Sequence, residues 1–402
     1  MKNLSPYGAK ALLAAVLLTC SGFMAGCTAV NEEQPADDAS SSAVYILPSV
    51  SEAASSESAE NQSDTADYVF STLDESEQAA YNMLLEAVRS FEPSAVFPAD
   101  FNRDKIKKIF TLVYTQESRI FQLDSIFYSP DENNAISLFY RYDSAKTAEM
   151  RAELDIIAGN IIGSLPDNCS EYEAVKLFHD TIVKSCSFSK DGDYVNNAYG
   201  VFVDKKAQCE GYAFAMSYLC DAAGIKNYVV TGTDKDGNSH AWNKIFVDGE
   251  WYNADCTWDD PRLKYENPDY IRHDYLFVPD SEIVGITHFP DESLFTPLPC
   301  TASDDNYFIK EGLYFSNADD GIASLSEQIH DLGLSGQREA EIRFGNPDAY
   351  NEANQRLFDN GEFKDVIEKL NGQYGLKIKS AHKNVNDSMY IIHISLIYEN
   401  DN

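Results

Sequence analysis

Three observations predict an α+β fold for this chain of 402 residues. Several segments repeat apolar residues at helical spacing. Others alternate apolar and polar residues and are joined by tight turns as antiparallel hairpins, and the pattern changes character after Pro299. The length is that of two or three domains. Hydrophobic residues make up 44% and aromatic residues 12%, enough for sizeable cores.

In chain order, residues 1–27 read as a targeting segment outside the fold. Lys2 and Lys10 accompany a short apolar run from Ala11 to Thr19, too short to stay as a membrane span. The run leads into Met24-Ala25-Gly26-Cys27, which resembles the lipobox of bacterial lipoproteins. That resemblance implies cleavage and lipidation of Cys27, and so a chain exported and anchored by lipid to the outer face of the membrane. The alternative is an ordinary signal peptide cut near Ala25 or Ala29. Residues 28–66, rich in Ser, Ala, Glu and Asp, cannot bury enough surface to offset chain entropy and read as a disordered tether.

Residues 67–142 read as a small α+β module, with helices near 73–90 and 103–114 and a hairpin of 120–128 and 135–142 around the turn 129–134. A second module spans 143–299. It starts with helices near 144–164 and 170–185, continues with a helix opened by Cys209, and then has strands near 227–233, 240–247 and 250–258. The third module, 300–402, reads as strand (306–315), helix (322–332), strand (340–344), helix (348–370) and strand (389–398). It holds no catalytic constellation, and His393, between Ile392 and Ile394, reads as structural.

The formal net charge is −34, from 65 acidic and 31 basic residues. Such a surface repels nucleic acid and anionic head groups, which excludes both as partners; it suits an exported soluble protein or one that meets cationic segments. Beyond Cys20 and Cys27 the cysteines are Cys169, Cys186, Cys209, Cys220, Cys256 and Cys300. They form no CxxC pair and no Cys/His zinc spacing, so neither a structural metal nor a cofactor is expected. A Cys169–Cys186 disulfide stays open at this point: if Glu171 to Cys186 is one helix, its two ends are too far apart to bridge.

The chemistry concentrates between Asn197 and Pro261. Asp248-Gly249 is a strong signal for a two-residue hairpin turn. Closing it sets Val247 opposite Glu250, Phe246 opposite Trp251 and Trp242 opposite Asp255. His240 and Asp255 then share one face as diagonal neighbours, with Cβ atoms roughly 7 Å apart. An imidazole and a carboxylate at that separation can hydrogen-bond. Cys209 follows a turn-like stretch and opens the apolar helix, so its thiol gains the exposed amides and dipole of a helix N-terminus, which favour thiolate. Cys209 as nucleophile, His240 as base and Asp255 as the group orienting the imidazole make a consistent set. Each alone has a plainer reading, a buried thiol or a strand-end histidine. His179, on a helix flank, is a weaker rival base. Tyr212 and Trp242 are candidate substrate-groove residues, with core packing as the plainer alternative, and Asp259, Asp260 and Pro261 read as a turn ending the strand.

The segments Gln208-Cys-Glu-Gly-Tyr-Ala213, His240-Ala-Trp-Asn243 and Trp251-Tyr-Asn-Ala-Asp-Cys-Thr-Trp258 resemble the core of the transglutaminase-like superfamily, in its bacterial branch. The resemblance covers roughly 171–290. It implies a papain-like core in which a helix carries the cysteine and an antiparallel sheet carries the histidine and aspartate, with Cys209, His240 and Asp255 as a triad. It also implies a protein or peptide substrate and chemistry on amide bonds, leaning to hydrolysis. Transamidation and non-catalytic binding stay open, because the superfamily includes all three. Asn253 and Cys256 stand where this branch is expected to carry His and an aliphatic residue.

Overall fold

A computed structural model describes residues 17–19, 66–128, 134–260 and 270–399. The lipobox with Cys27, nearly all of the tether, most of the expected hairpin turn at 129–134, and Pro261 lie outside the described residues.

The N-terminal sheet has strand order β1-β3-β4-β2. Its strands are β1 (Leu17–Thr19), which falls within the segment 1–27 expected to lie outside the fold yet pairs antiparallel with β3, then β2 (Ser94–Val96), β3 (Leu123–Tyr128) and β4 (Ala135–Tyr140). Packed with it are α1 (Ala66–Ser71), α2 (Glu75–Arg89) and α3 (Arg103–Gln116). Helix α2 starts where it does because Asp74 and Glu77 cap each other's amides reciprocally. Its Tyr81, Leu84 and Val88 then face the core at helical spacing.

The central module opens with α4 (Ser144–Gly163) and α5 (Glu171–Ser185), followed by the short parallel pair β5 (Ser187–Phe188) and β6 (Lys206–Ala207). Next comes α6 (Cys209–Ala223), ended by Gly224 in the left-handed conformation. A five-stranded sheet of order β10-β9-β8-β7-β11 follows. It consists of β7 (Asn227–Asp234), β8 (Ser239–Val247), β9 (Glu250–Ala254), β10 (Leu276–Val278) and β11 (His288–Pro290), with short helices α7 (Cys256–Asp259) and α8 (Asp280–Ile283) between strands. Tyr212, Ala215, Met216 and Leu219 of α6 pack in one cluster with Ile245, Val247 and Tyr252. Tyr228, Val230 and Trp242 pack instead with the N-terminal module's Leu84, Ile109 and Val113.

The β8–β9 turn has Asp248 and Gly249 at φ 51° and 100°, the two positive values that a type I′ turn demands. Register runs from Val247 opposite Glu250 to Asn243 opposite Ala254. The strand expected over 250–258 nevertheless ends at Ala254. Asp255 leaves extended geometry and caps α7, its Oδ1 accepting from the amides of Thr257 (2.9 Å) and Trp258 (3.2 Å). A carboxylate able to satisfy two free helix amides outcompetes continued pairing.

The C-terminal module comprises α9 (Tyr307–Lys310), β12 (Tyr314–Phe315), α10 (Ala318–Ser335), β13 (Glu339–Phe344), α11 (Pro347–Asn354), α12 (Glu362–Tyr374), β14 (Ile378–Asn386) and β15 (Ile391–Tyr398). Its sheet order is β12-β13-β15-β14. Of the strand expected at 306–315 only Tyr314–Phe315 is strand; Tyr307–Lys310 form a short helix capped by the Asn306 side chain. The helix expected over 348–370 is broken before Gly361, which sits at φ 83°. Tyr307, Phe308, Met389 and Ile391 join the central core, so the two modules share apolar packing. Among the described residues the six cysteines form no disulfide. No helix among those residues is long and apolar enough to cross a membrane.

Candidate active site

Cys209 is the first residue of α6 and is 1% exposed. The helix is held there by its neighbours. The Gln208 amide donates to the Val195 carbonyl at 2.8 Å, and a Cβ on Gly211 would stand 2.5 Å from that carbonyl oxygen. Only glycine lets the first turn approach so closely. The Gln208 side chain does not cap the helix. One turn further on, the Asn243 amide donates to the Ala213 carbonyl and to Ser217 Oγ, both at 3.0 Å, which ties α6 to β8.

His240, near the start of β8, places Nε2 2.6 Å from Asp255 Oδ2. The same oxygen lies 3.0 Å from Nε2 of His288, on β11. A carboxylate only accepts, so both imidazoles present N–H to it. Asp255 therefore collects four donors, two imidazoles on Oδ2 and two amides on Oδ1. Burial alone would raise its pKa, but the paired histidines outweigh this and hold the carboxyl far below the usual range. Burial pushes the His288 imidazolium down against the pull of Asp255, which favours the neutral ring. His288 Nδ1 lies 2.9 Å from Thr287 Oγ1, and Trp258 packs on both imidazoles with ring centroids 5.5 and 4.8 Å away.

Sequence patterning does not reveal His288. Its strand is three residues long and pairs with β7 outside any hairpin, so only the Thr-His-Phe alternation hints at it. The close approach of β11 depends on Gly232, where a Cβ would lie 2.1 Å from the Phe289 carbonyl oxygen.

Tyr212 and Trp242 are core residues here, not groove walls. Tyr212 is 0% exposed and donates to Asp260 Oδ2 at 2.6 Å; Trp242 is 1% exposed and donates from Nε1 to Asn253 at 3.2 Å. Asp259 and Asp260 are more than a strand-ending turn. Asp259 accepts from His179 Nε2 and from the Tyr275 amide, each at 3.1 Å, and Asp260 also accepts from the Phe188 amide. Burial raises the Asp259 pKa to about 6 against the opposing pull of His179. His179 is thus a buried strut between carboxylates.

A second buried network links the central and C-terminal modules. His273 reaches Asp180 through Nε2 (3.0 Å) and Glu341 through Nδ1 (3.3 Å). His393 reaches Asp274 through Nε2 (2.9 Å) and Glu341 through Nδ1 (3.4 Å). Three His/carboxylate groups lie close enough to be metal ligands: His179/Asp180/His273, His240/Asp255/His288 and Asp274/Glu341/His393. The rings of His273 and His393 each bridge two carboxylates through both nitrogens. This is the pattern of a hydrogen-bonded network, whereas a metal takes one nitrogen per ring.

A cavity of about 440 Å³ is lined by sequence neighbours of Cys209 and His240, though not by those two residues themselves. Its wall includes Glu210, next to Cys209; Ser239, next to His240; and Gly232, paired with His240 across the sheet. Phe110 and Tyr114 of α3 and Phe289 and Asp291 complete much of the lining.

A cysteine opening a central helix that packs on an antiparallel sheet bearing a His–Asp pair is the layout of an α+β papain-like core. Residues 161–256, which contain Cys209, His240 and Asp255, match the core of the transglutaminase-like superfamily, and the chain carries a transglutaminase-like core. A segment is 31% identical over 107 residues to the kyphoscoliosis peptidase of Mus musculus, covering 22% of this chain and 15% of that protein. The Homo sapiens kyphoscoliosis peptidase is 27% identical over 134 residues, covering 27% of this chain and 19% of that protein. This chain thus spans less than a fifth of the length of those relatives. A solved TGase structure is 15% identical, with a TM-score of 0.25, over 43% of this chain and 52% of that one.

Proposed function

We propose that this protein is an exported, lipid-anchored cysteine enzyme that cleaves amide or peptide bonds through Cys209, His240 and Asp255. The observation that carries the reading is the buried 2.6 Å hydrogen bond between His240 Nε2 and Asp255. With Nε2 held against the carboxylate, Nδ1 is the nitrogen that exchanges protons. It takes the thiol proton as Cys209 Sγ attacks the amide carbonyl carbon. Collapse of the tetrahedral intermediate breaks the C–N bond, and the imidazolium gives its proton to the departing amine. Water then attacks the thioester, His240 accepts its proton, and the carboxylic acid and free thiol are released. Amides of the first turn of α6 are the natural donors to the developing oxyanion. The lipid would sit on Cys27, with residues 28–66 as the spacer to the enzyme.

Transamidation differs only in the second step, where a lysine amine replaces water. The test is the pH dependence of Cys209 alkylation in residues 67–402, beside His240→Ala. Expected is rapid labelling mapped to Cys209, with a midpoint well below the ordinary thiol value of about 8.5, slowed in the variant. Cys186 and Cys300 are poor competitors, because burial pushes both thiols up to about 12. An ordinary midpoint unchanged by the variant would leave only a binding role. Given an active thiol, release of new termini marks a peptidase, and isopeptide crosslinks mark a transamidase.

A further inference from the structure

We infer that the cavity lined by sequence neighbours of Cys209 and His240 is a side-chain pocket that selects a cationic residue, lysine or arginine, on the substrate; this rests on the cysteine-enzyme reading above. Position comes first. Glu210, Ser239 and Gly232 each adjoin a residue of the proposed triad, so a chain whose carbonyl meets Cys209 can drop a neighbouring side chain into the space. The volume, about 440 Å³, lies in the usual range for ligand pockets, about 300–1,000 Å³.

The lining supplies the chemistry. Among the described residues it holds two carboxylates, Glu210 and Asp291, and no Lys, Arg or His. Glu210 is 2% exposed, so any charge it contributes to the lining is little screened by water. Asp291 stands at the exposed mouth, where Oδ1 accepts from the Ser293 amide (3.0 Å) and hydroxyl (2.6 Å) and is held in one orientation. The lining also carries rings suited to the methylene stem of a long cationic side chain. Phe110 and Tyr114 are stacked at 6.3 Å with an interplanar angle of 10°, and Phe289 is 41% exposed. An anionic side chain would face two like charges, and a purely apolar one would gain nothing from either carboxylate. The chain's net charge of −34 draws cationic segments in from a distance.

Three methanethiosulfonate reagents of similar size, aminoethyl (cationic), ethyl (neutral) and sulfonatoethyl (anionic), test this on residues 67–402. In each case the Cys209 thiolate attacks the sulfenyl sulfur, a mixed disulfide forms, and methanesulfinate leaves. The expected order of rates at Cys209 is cationic, neutral, anionic. Glu210→Gln should cut the cation-to-anion ratio by about tenfold, the effect of one charge across a partly screened pocket. Asp291→Asn, an exposed change that cannot unfold a core, should lower the ratio in the same direction by a smaller factor. Glu368→Gln, a remote charge on α12, should leave it unchanged and so corrects for the overall field. A fast thiol whose ratio ignores Glu210 and Asp291 overturns the pocket alone. A thiol no faster than an ordinary one toward all three reagents overturns the catalytic reading beneath it, and the pocket with it.

Discussion

Asp255→Asn is the sharpest perturbation of the proposed site, because it keeps the shape of the side chain while removing its charge and one of its two acceptor oxygens. Oδ1 still caps α7 through the amides of Thr257 and Trp258, so the local backbone should hold. At the other end two imidazole N–H groups, 2.6 and 3.0 Å away, lose their shared acceptor or meet an amide donor. The charge centres of an imidazolium and a carboxylate in this geometry are about 4 Å apart, worth about 4 kcal/mol at an effective dielectric constant of 20. That equals roughly three pH units, at 1.36 kcal/mol each. The remaining amide dipole and local relaxation reduce it, so the alkylation midpoint of Cys209 should rise by about one to three units, the range for loss of an adjacent opposite charge. The assay is the pH–rate profile of labelling with a neutral reagent, read by peptide mapping, with circular dichroism as a check on folding. A folded variant whose midpoint moves by less than about 0.3 units, when one unit stands for 1.36 kcal/mol, would refute the claim that Asp255 acts on the thiol through His240.

Three further outcomes are expected. His288→Ala should impair turnover by loosening Asp255, whereas His288→Asn, which can still donate, should restore much of it; equal losses in both would mean that His288 only fills space. Gly232→Ala should displace β11 from β7, because its Cβ would lie 2.1 Å from a carbonyl oxygen; urea titration should show a loss of about 1–3 kcal/mol, the usual cost of forced overpacking. The His273/His393 network should make the protein less stable as pH rises. Burial lowers both imidazoliums, but their carboxylates outweigh it and hold them at about 9 and about 10. Because both values lie above the unfolded value of about 6.5, the stabilisation is complete below that pH and is lost as pH climbs through 9 and 10. Thermal melts between neutral pH and about 10.5 should fall steadily across that window, and His393→Gln should flatten the slope.

Local chemistry was legible wherever one segment carried its own signal. Asp248-Gly249 set the β8–β9 register, and the apolar run after Cys209 set α6. The α+β class and the transglutaminase-like core followed from those segments. What escaped depended on partners distant in sequence. His288 meets Asp255 through an edge strand with no turn linking it to its neighbour, and Glu341 meets His273 and His393 only once two modules close together. β14 was missed because its residues are mostly polar and half or fully exposed, so no apolar alternation marks it. The early end of β9 was hidden for a different reason. The side chain expected to orient an imidazole also caps a helix, and a period-two pattern cannot reveal that second task.

The sharing of Tyr228, Val230 and Trp242 with Leu84, Ile109 and Val113 bears on how this architecture can be divided. The sheet that carries His240 has no outer skin of its own on that side; the N-terminal module is its lining. Gln116 of α3 even extends the sheet's hydrogen bonding, its side-chain amide exchanging bonds with the Val229 backbone at 2.9 and 3.2 Å as an absent strand would. Cut at residue 143, the remainder would carry a bare aromatic wall and an open strand edge, the two features that most readily drive chains to stick together. The N-terminal module therefore travels with the central one, which is itself tied to the C-terminal module through Tyr307, Phe308, Met389 and Ile391, and a segment matched only at 161–256 could not be transplanted without a substitute for α3.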